Sequence, residues 1–401
     1  MTTTEQQEVE MSFEKTESDD KSFVEEHASN AVSDTPLVPP RRMSSSRKAV
    51  REPIDLPTEE ERQAILKTIM GERTPGIDAL PAAIRNLVHR EYDRHVVPHI
   101  ERHWPDSLDG EACAAGQKLR FLACDLYASA PYTILFCSRE KPWPFRIGSG
   151  LADVFPLPRK VLVHGAKWSV DLFGSLSSKA RHRRIVLIGA FIATIDHAFD
   201  HGMERIAPKD RGKRIRELLE GTWKPSDVDD DGPLRLTRAL QLAMEDGLPL
   251  VERDAFDLAM DRVKDWAESE VAGMTGVPDP TGLSHRLAGV EGTIDGLFFP
   301  VFNHAEEMHR KWMYDVSWFV QMMDDWLDFE KDLLDVRETP VITGQWTSDH
   351  IKNKWADTIY GIESLTRESG VHSDAYVSLV RDTYIFMMHD VMDAMTHGIA
   401  A

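Results

Sequence analysis

Hydrophobic residues recur at intervals of three and four along most of this chain, which is the periodicity of amphipathic helices. Thr58 and Glu61 have the spacing of an N-terminal capping box, so the first helix is predicted to begin there. Further helices are predicted over residues 80–104, 110–128, 158–175, 178–204, 232–246, 250–274, 281–299, 304–334, 347–368 and 373–398. Alternating strand patterns are scarce, with residues 132–137 as a candidate for a short extended run. The pattern therefore predicts one large all-α domain and argues against an α/β fold.

Residues 1–55 differ in composition from the rest of the chain. Acidic residues outnumber basic ones up to Pro36, and prolines, serines and arginines follow. A segment with so few apolar residues has little surface to bury and is typical of a disordered tail. We therefore predict a disordered acidic tail over residues 1–55 and an α-helical domain over residues 56–401.

The composition argues against several classes of function. The net charge of −20 speaks against a nucleic-acid partner, because phosphate backbones are bound by clustered lysines and arginines. The 3 cysteines lack a Cys-x-x-Cys spacing and indicate neither a disulfide framework nor a zinc-thiolate site. No apolar run approaches the ~20 residues that cross a bilayer, and the acidic N-terminus is unlike a targeting peptide. We expect a soluble cytoplasmic protein, with a homodimer as the candidate assembly.

Three carboxylates recur at every fourth position near the end of one predicted helix. Asp324, Asp328 and Asp332 would lie on one face, one turn apart, within an apolar frame of Met, Trp, Leu and Phe. Like charges at this spacing repel one another, so bound cations would compensate them. Ligands that are all oxygen favour Mg²⁺ or Mn²⁺. A solvated helix face without a metal is the alternative interpretation.

A second acidic pair follows a long apolar run further upstream. Asp196 and Asp200 are four residues apart at the end of a predicted helix, with apolar residues on the preceding turns. The helix that ends with Asp324 and Asp328 likewise has apolar residues on the turns before its carboxylates. Two helices that are apolar in the middle and acidic at one end could enclose an apolar cavity with metal ligands at its mouth.

The segment from Gln321 to Asp332 resembles the second metal-binding motif of class I isoprenoid synthases, the superfamily that includes the terpene cyclases. In this register Asp324, Asp328 and Asp332 occupy the positions of the metal ligands. Lys331 occupies the basic position that faces the diphosphate. The resemblance therefore implies a metal and diphosphate site at this end of the helix.

Two further segments extend the resemblance. Asp196 and Asp200 resemble the first aspartate-rich motif, and the interval to Asp324 is similar to the one in the family. Arg286 is placed like the arginine that senses diphosphate in terpene cyclases. Residues 292–296 resemble the broken helix whose carbonyls face the ionising substrate, and a break flanked by glycines would free helix-end carbonyls for this purpose.

The resemblance implies a single helical bundle of the class I isoprenoid synthase type around a central apolar cavity. The implied activity is ionisation of an allylic prenyl diphosphate, with farnesyl diphosphate as the expected substrate. A cluster of three Mg²⁺ ions, or Mn²⁺ in their place, would assist the departure of diphosphate. The carbocation would close to a sesquiterpene hydrocarbon such as humulene. The residues expected on the substrate side are Phe191, Phe298, Phe299, Ser317, Trp318, Phe319 and Gln321.

Departures from the family pattern leave the reaction type open. The second motif has aspartate at all three ligand positions, which is closer to chain-elongating prenyltransferases than to most cyclases. However, the basic pair and glycine that follow the first motif in those enzymes are absent, with residues 203–205 reading Met-Glu-Arg here. A cyclase is preferred, and a prenyltransferase or a squalene- or phytoene-synthase-like enzyme is the alternative. Arg381 and Tyr384 are candidates for the late Arg-Tyr pair of the family.

Two other classes of protein remain as rivals. Glu306 and His309 have the Glu-x-x-His spacing of helical di-iron proteins, but no second copy of that motif is present in the sequence. A non-catalytic helical scaffold with solvated acidic faces is the other rival. Magnesium-dependent release of diphosphate would separate both of them from an isoprenoid synthase.

Overall fold

The computed structural model of the protein describes residues 58–137, 141–176, 179–224, 231–246, 248–275, 282–298, 307–334 and 339–397. The tail predicted over residues 1–55 falls outside these ranges. The described residues form helices and no strand, which confirms the predicted all-α class. None of the described helices is both long and apolar enough to cross a membrane.

The α-helices of the described residues follow one another with short connections. They are α1 Glu59–Met70, α2 Ala79–His95, α3 Val97–His103, α4 Cys113–Phe121, α5 Ser129–Cys137, α6 Trp143–Val154, α7 Arg159–Leu176, α8 Lys179–Asp200, α9 Pro208–Glu220, α10 Asp231–Glu245, α11 Leu250–Thr275, α12 Gly282–Thr293, α13 Glu307–Leu327, α14 Phe329–Leu334, α15 Ser348–Glu368 and α16 Asp374–His397. Two π-helical segments, Leu122–Tyr127 and Ile294–Phe298, interrupt this series.

Several helix boundaries agree with the sequence pattern. The capping box of α1 is confirmed, because the Glu61 amide donates to Thr58 Oγ1 over 3.3 Å and the Thr58 amide donates to Glu61 Oε2 over 2.8 Å. The helix predicted over residues 80–104 is instead divided into α2 and α3 at Val96. Pro98 in the first turn of α3 explains the division, since proline has no amide to continue the preceding helix.

Three predictions about secondary structure were wrong or incomplete. Residues 132–137 are helical, within α5, and not extended. The helices α6 and α9 were not predicted, although both have a proline in their first turn. Proline is well tolerated there because the first amides of a helix have no intrahelical acceptor. These prolines therefore mark helix starts, whereas the sequence interpretation treated them as parts of loops.

The core is organised around α8. Residues 185–191 of this helix are all buried, and α8 packs against α2, α10 and the segment Leu122–Tyr127. Arg211 of α9 holds the end of α8, because its Nη1 donates to the carbonyl oxygens of Phe199 at 3.0 Å and Asp200 at 3.3 Å. A cation at this place is favourable because the C-terminus of a helix carries partial negative charge. The end of α8 therefore has a fixed position.

The helices α11 and α12 approach each other closely at glycines. A Cβ atom at Gly289 would lie 2.8 Å from Cβ of Trp266 on α11. A Cβ atom at Gly296 would overlap the carbonyl oxygen of Ala255 and the methyl group of Ala259. These distances leave no room for a side chain, so the glycines permit a helix contact that any other residue would push apart.

A buried histidine should make stability depend on pH. His182 of α8 is 1% exposed, and the hydroxyl of Tyr132 lies 2.6 Å from its Nδ1. Burial lowers the pKa of His182 to about 4 from its ordinary value of 6.5. The unfolded chain therefore binds more protons between these two pH values, and the free energy of unfolding should fall by about 3 kcal/mol from this group as the pH drops from 6.5 to 4.

Denaturant unfolding at pH 7, 5.5 and 4.5 measures this contribution. The His182→Gln variant should lose less stability on acidification than the unaltered protein. His164→Gln, at an exposed position of α7, serves as the control and should keep the original pH dependence. An identical loss of stability in the unaltered protein and in His182→Gln would refute the assignment.

Candidate functional site

A cavity of about 160 Å³ lies between α8, α11, α12 and α13. Its wall is mostly apolar, and the few polar side chains include Asp196 and Gln321. On both α8 and α13 the lining changes from apolar to polar toward the C-terminal end of the helix. The lining residues are Leu126, Tyr127, Ala130, Phe191, Ile192, Ile195, Asp196, Val263, Trp266, Gly289, Val290, Thr293, Ile294, Phe298, Met313, Val316, Ser317, Val320 and Gln321.

Both π-helical segments contribute to this wall. Leu126 and Tyr127 come from the segment Leu122–Tyr127, and Ile294 and Phe298 come from the other. A π-helical turn widens the backbone and re-aims the side chains that follow, and such turns are frequent at functional sites. Residues 292–296 were predicted to form a break in the helix, and the structure has a change from α- to π-helical hydrogen bonding at Ile294.

The carboxyl group of Asp196 is the acidic group of the cavity wall. Burial, together with the nearby carboxylates of Asp200, Asp324 and Glu270, raises its pKa from 3.8 to about 8, while Lys118 opposes this shift. Asp196 therefore lies close to acidic side chains from two other helices, α11 and α13. The two acidic segments predicted from the sequence face each other in the folded protein.

The pKa of Tyr127 also indicates that Asp196 and Asp324 lie near each other. Burial raises the pKa of its phenol well above the usual value, and the carboxylates of Asp196 and Asp324 add to the shift. The hydroxyl therefore remains protonated at physiological pH. Because Tyr127 also lines the cavity, it is a neutral hydrogen-bond donor beside two carboxylates.

The position of these carboxylates on their helices increases their need for a cation. Asp196 and Asp200 lie in the last turn of α8, and Asp324 lies in the last turn of α13. The C-terminal end of a helix carries partial negative charge, which destabilises a carboxylate placed there. Mutual repulsion and the dipoles of α8 and α13 therefore both destabilise the charged form of these carboxylates. Oxygen donors in such a field suit a hard divalent cation such as Mg²⁺.

The predicted stripe of three aspartates is not a uniform face of one helix. The helix predicted over residues 304–334 ends as α13 at Leu327, bends at Asp328 and resumes as α14. Asp324 is exposed, Asp328 is about half-exposed, and Asp332 is buried at 5% exposure. Hydrogen bonds from the Asp328 amide to the Asp324 carbonyl and from the Asp332 amide to the Asp328 carbonyl keep the one-turn spacing. The bend explains why equal spacing gives three different environments.

The predicted metal ligands do not form a finished site. Within the described part of the chain, no three His, Cys, Asp or Glu side chains are arranged so that they could hold one ion. The ligand set of Asp196, Asp200, Asp324, Asp328 and Asp332 therefore stays a prediction. What the structure provides is the meeting of Asp196, Asp200 and Asp324 from α8 and α13.

Four of the predicted substrate-side residues line the cavity, namely Phe191, Phe298, Ser317 and Gln321. Trp318 and Phe319 are not among the lining residues. They lie off the face of α13 that carries Ser317 and Gln321, since successive helix residues are about 100° apart. Phe319 packs on Trp355 with ring centroids 4.9 Å apart, and Lys354 Nζ lies 4.8 Å from the centre of the Trp318 ring.

Other predicted residues have different positions. Lys331 is exposed, and its Nζ lies 3.5 Å from Asp328 Oδ2. The backbone of Arg286 is part of α12, but its side chain lies outside the described part of the structure, as does Phe299. Glu306 of the di-iron alternative also falls outside it. No statement about diphosphate contacts follows for Arg286.

The candidate Arg-Tyr pair is not part of the cavity wall. Arg381 forms ion pairs with Glu363 and Asp382, each at 2.9 Å. Tyr384 is buried, and its ring packs against Trp312 and Trp355. Both side chains are therefore engaged away from Asp196.

Sequence reasoning missed Tyr127, Glu270 and Trp266. Val263 and Trp266 of α11 line the cavity, and Glu270 follows one turn after Trp266. Their spacing of three and four repeats the design of α8 and α13, in which an apolar face ends in a carboxylate. The sequence of α11 therefore contained a pattern from which Glu270 could have been predicted. Tyr127 had no such signal, because its direction depends on the π-helical turn.

Comparison with known proteins adds no family assignment. No protein-family model, no curated protein and no solved structure matches the chain.

Proposed function

We propose that the protein is a class I terpene cyclase that ionises farnesyl diphosphate with Mg²⁺ and cyclises the carbocation to a sesquiterpene hydrocarbon such as humulene. The observation that carries the proposal is the meeting of Asp196 from α8 with Asp324 from α13 at the polar end of an apolar cavity. The resemblance of both segments to the metal-binding motifs of the family supports it. The proposed fold is the helical bundle of that family, with this cavity at its centre.

The carboxylates would have the first role in the reaction. Asp196, Asp200 and Asp324 would hold the cations, with Asp328 and Asp332 as the further ligands that the motif supplies. Bound Mg²⁺ would neutralise the negative charge that develops on the departing diphosphate. Lys331 and Arg286 would add positive charge on the side of the diphosphate. Tyr127 would donate a hydrogen bond near the same carboxylates.

The cavity would have the second role. A carbocation survives only where water is excluded, and the wall consists largely of aliphatic and aromatic side chains. The rings of Phe191, Phe298 and Trp266 lie in this wall and present π electrons that stabilise a cation. Ser317 and Gln321 lie between this apolar part and Asp324 on the same helix, where the substrate would pass from hydrocarbon to diphosphate.

The decisive experiment is incubation of the protein with the C10, C15 and C20 prenyl diphosphates and Mg²⁺. Release of diphosphate is measured, and the hydrocarbon extract is examined by mass spectrometry. We expect a cyclic C15 product and no turnover when EDTA removes the metal. A folded protein that releases no diphosphate from any of the three would refute the proposal. In a parallel incubation that also contains isopentenyl diphosphate as the acceptor, a linear product longer than the allylic substrate would instead establish the alternative, a prenyltransferase.

Filling the cavity should separate its role from that of the carboxylates. Ser317→Trp places an indole in the wall, so the C15 chain can no longer fold there, and turnover of farnesyl diphosphate should fall roughly 10²-fold. Lys311→Trp, at an exposed position on α13, is the matched control and should leave turnover unchanged. Turnover is followed by diphosphate release, and folding by circular dichroism. Equal turnover in both variants would show that the substrate does not use this cavity.

A further inference from the structure

We propose that a second, basic groove between α3, α8 and α10 binds a small phosphorylated anion. The groove encloses about 490 Å³, and its lining includes four arginines and two histidines, namely Arg102, Arg183, Arg235, Arg238, His99 and His103. Such a volume is within the range of ~300–1,000 Å³ of small-molecule sites. The inference is independent of the proposed function of the cavity.

The charge of this groove is opposite to that of the protein. The chain has a net charge of −20, yet the lining has four arginines and one acidic residue, Asp246, whose Oδ2 lies 3.9 Å from Arg183 Nη2. Converging cations repel one another, and a bound anion removes this repulsion. Guanidinium groups also match the geometry of phosphate oxygens, which they bind through paired hydrogen bonds.

Two of the arginines are held in place by the protein. Arg238 Nη1 donates to the carbonyl oxygen of Leu219 at 2.9 Å and to Gln241 Oε1 at 2.7 Å. Arg183 Nη2 lies 3.4 Å from the carbonyl oxygen of Ala243. A ligand therefore meets donors that are already ordered, and less conformational entropy is lost on binding.

Arg102 has a different role in the groove. It is exposed at the end of α3, and its guanidinium forms no ion pair or hydrogen bond with the described part of the chain. A long cationic side chain of this kind can turn toward an incoming anion without giving up a partner. Arg102 is therefore the residue whose removal should weaken ligand binding without disturbing the fold.

The protonation of His99 and His103 should change when an anion binds in the groove. Their rings stack with centroids 6.5 Å apart. Burial lowers the pKa of His99, and the neighbouring His103, Arg183 and Arg102 lower it further. Burial also lowers the pKa of His103, with Arg102 and Arg235 adding to the effect. An anion in the groove would raise both pKa values and cause uptake of protons near pH 6.

The groove is separate from the acidic cavity. Arg183 and Asp196 belong to the same continuous helix, α8, and are about 20 Å apart along its axis at 1.5 Å per residue.

The apolar part of the groove is formed by Trp223, Leu242 and the alanines of α10. The expected ligand is thus a phosphorylated small molecule with a compact apolar or aromatic part.

Calorimetric titration of the full chain with inorganic diphosphate tests the groove. EDTA is present so that the cavity cannot bind diphosphate through metal. We expect one binding event that weakens as salt is added, since the attraction between exposed charges is screened. Arg102→Gln should weaken the affinity roughly tenfold to a hundredfold, through loss of a charged hydrogen bond. Lys160→Gln, which makes the same change of charge at an exposed position of α7, should bind like the unaltered protein.

Two further measurements locate the binding event. Titration at pH 6 in buffers of different ionisation enthalpy should show that the unaltered protein takes up more protons per bound diphosphate than the His99→Gln variant, since the ionisation of the ligand is common to both. The Asp196→Asn variant should bind diphosphate in EDTA as tightly as the unaltered protein. Absence of binding, equal affinity in Arg102→Gln, an equal proton balance in His99→Gln and the unaltered protein, or loss of binding in Asp196→Asn would each overturn the proposal.

Discussion

Replacing Asp196 by asparagine is expected to reduce Mg²⁺-dependent release of diphosphate from farnesyl diphosphate by at least roughly 10³-fold. Asparagine keeps the shape of the side chain but removes the charge through which Asp196 would hold a cation. With a pKa of about 8, Asp196 is mostly protonated in the metal-free protein at pH 7, so asparagine there replaces a neutral side chain of the same shape. The thermal midpoint of the metal-free protein should therefore stay the same or rise, which distinguishes a lost function from a lost fold.

The matching change on α13 should give the same result. Asp324→Asn alone should cause a similar loss, and the double variant should be little worse than either single one, because the two residues would act on the same cations. Asp257→Asn, at an exposed position of α11, is the control and should retain full turnover. Turnover near the original rate in both Asp196→Asn and Asp324→Asn would show that these carboxylates do not hold the catalytic metal.

The second large effect is expected at Gly296, where α11 and the π-helical segment Ile294–Phe298 touch. An added methyl group would overlap the carbonyl oxygen of Ala255 and the Cβ atom of Ala259, and neither can move without moving α11. Overpacking that forces a backbone shift typically costs about 1–3 kcal/mol. Gly296→Ala should therefore lower the free energy of unfolding by about this amount.

Gly165 provides the matched control for this prediction. It lies within α7, and a Cβ atom built there has no neighbour within 4 Å. Gly165→Ala should stabilise the protein by about 0.5–1 kcal/mol, because alanine loses less backbone entropy than glycine in a helix. Urea denaturation of both variants measures the difference. A Gly296→Ala protein as stable as Gly165→Ala would mean that α11 and this segment are not in close contact.

Local patterns in the sequence were sufficient for most of the helices. The spacing of apolar residues predicted α7, α8, α10, α11, α15 and α16 within a few residues of their ends, and the side chains of Thr58 and Glu61 specified the start of α1. These features depend on residues three or four positions apart, which interact in almost any folded context. Where a proline opened a helix, as in α9, the same local reasoning failed because proline was taken as a break.

The candidate site was accessible from the sequence only in part. The sequence identified Asp196, Asp200 and Asp324, which the fold brings together, and also Phe191 and Gln321 of the cavity wall. It could not assign different environments to Asp324, Asp328 and Asp332, because their spacing is equal and only the bend at Asp328 makes Asp332 buried. It did not indicate that Trp318 and Phe319 pack toward Lys354 and Trp355, since aromatic character does not reveal which neighbouring helix a side chain meets.

The sequence by itself determined that the chain is helical and that two of its helices end in carboxylates after an apolar stretch. Only the tertiary structure decided that these two helix ends meet, that Glu270 and Tyr127 join them, and that a basic groove forms between α3, α8 and α10. The physical reason is the range of the interactions. Helix periodicity and capping act within one turn, whereas the electrostatic interaction of Asp196 with Asp324 depends on how the intervening helices pack.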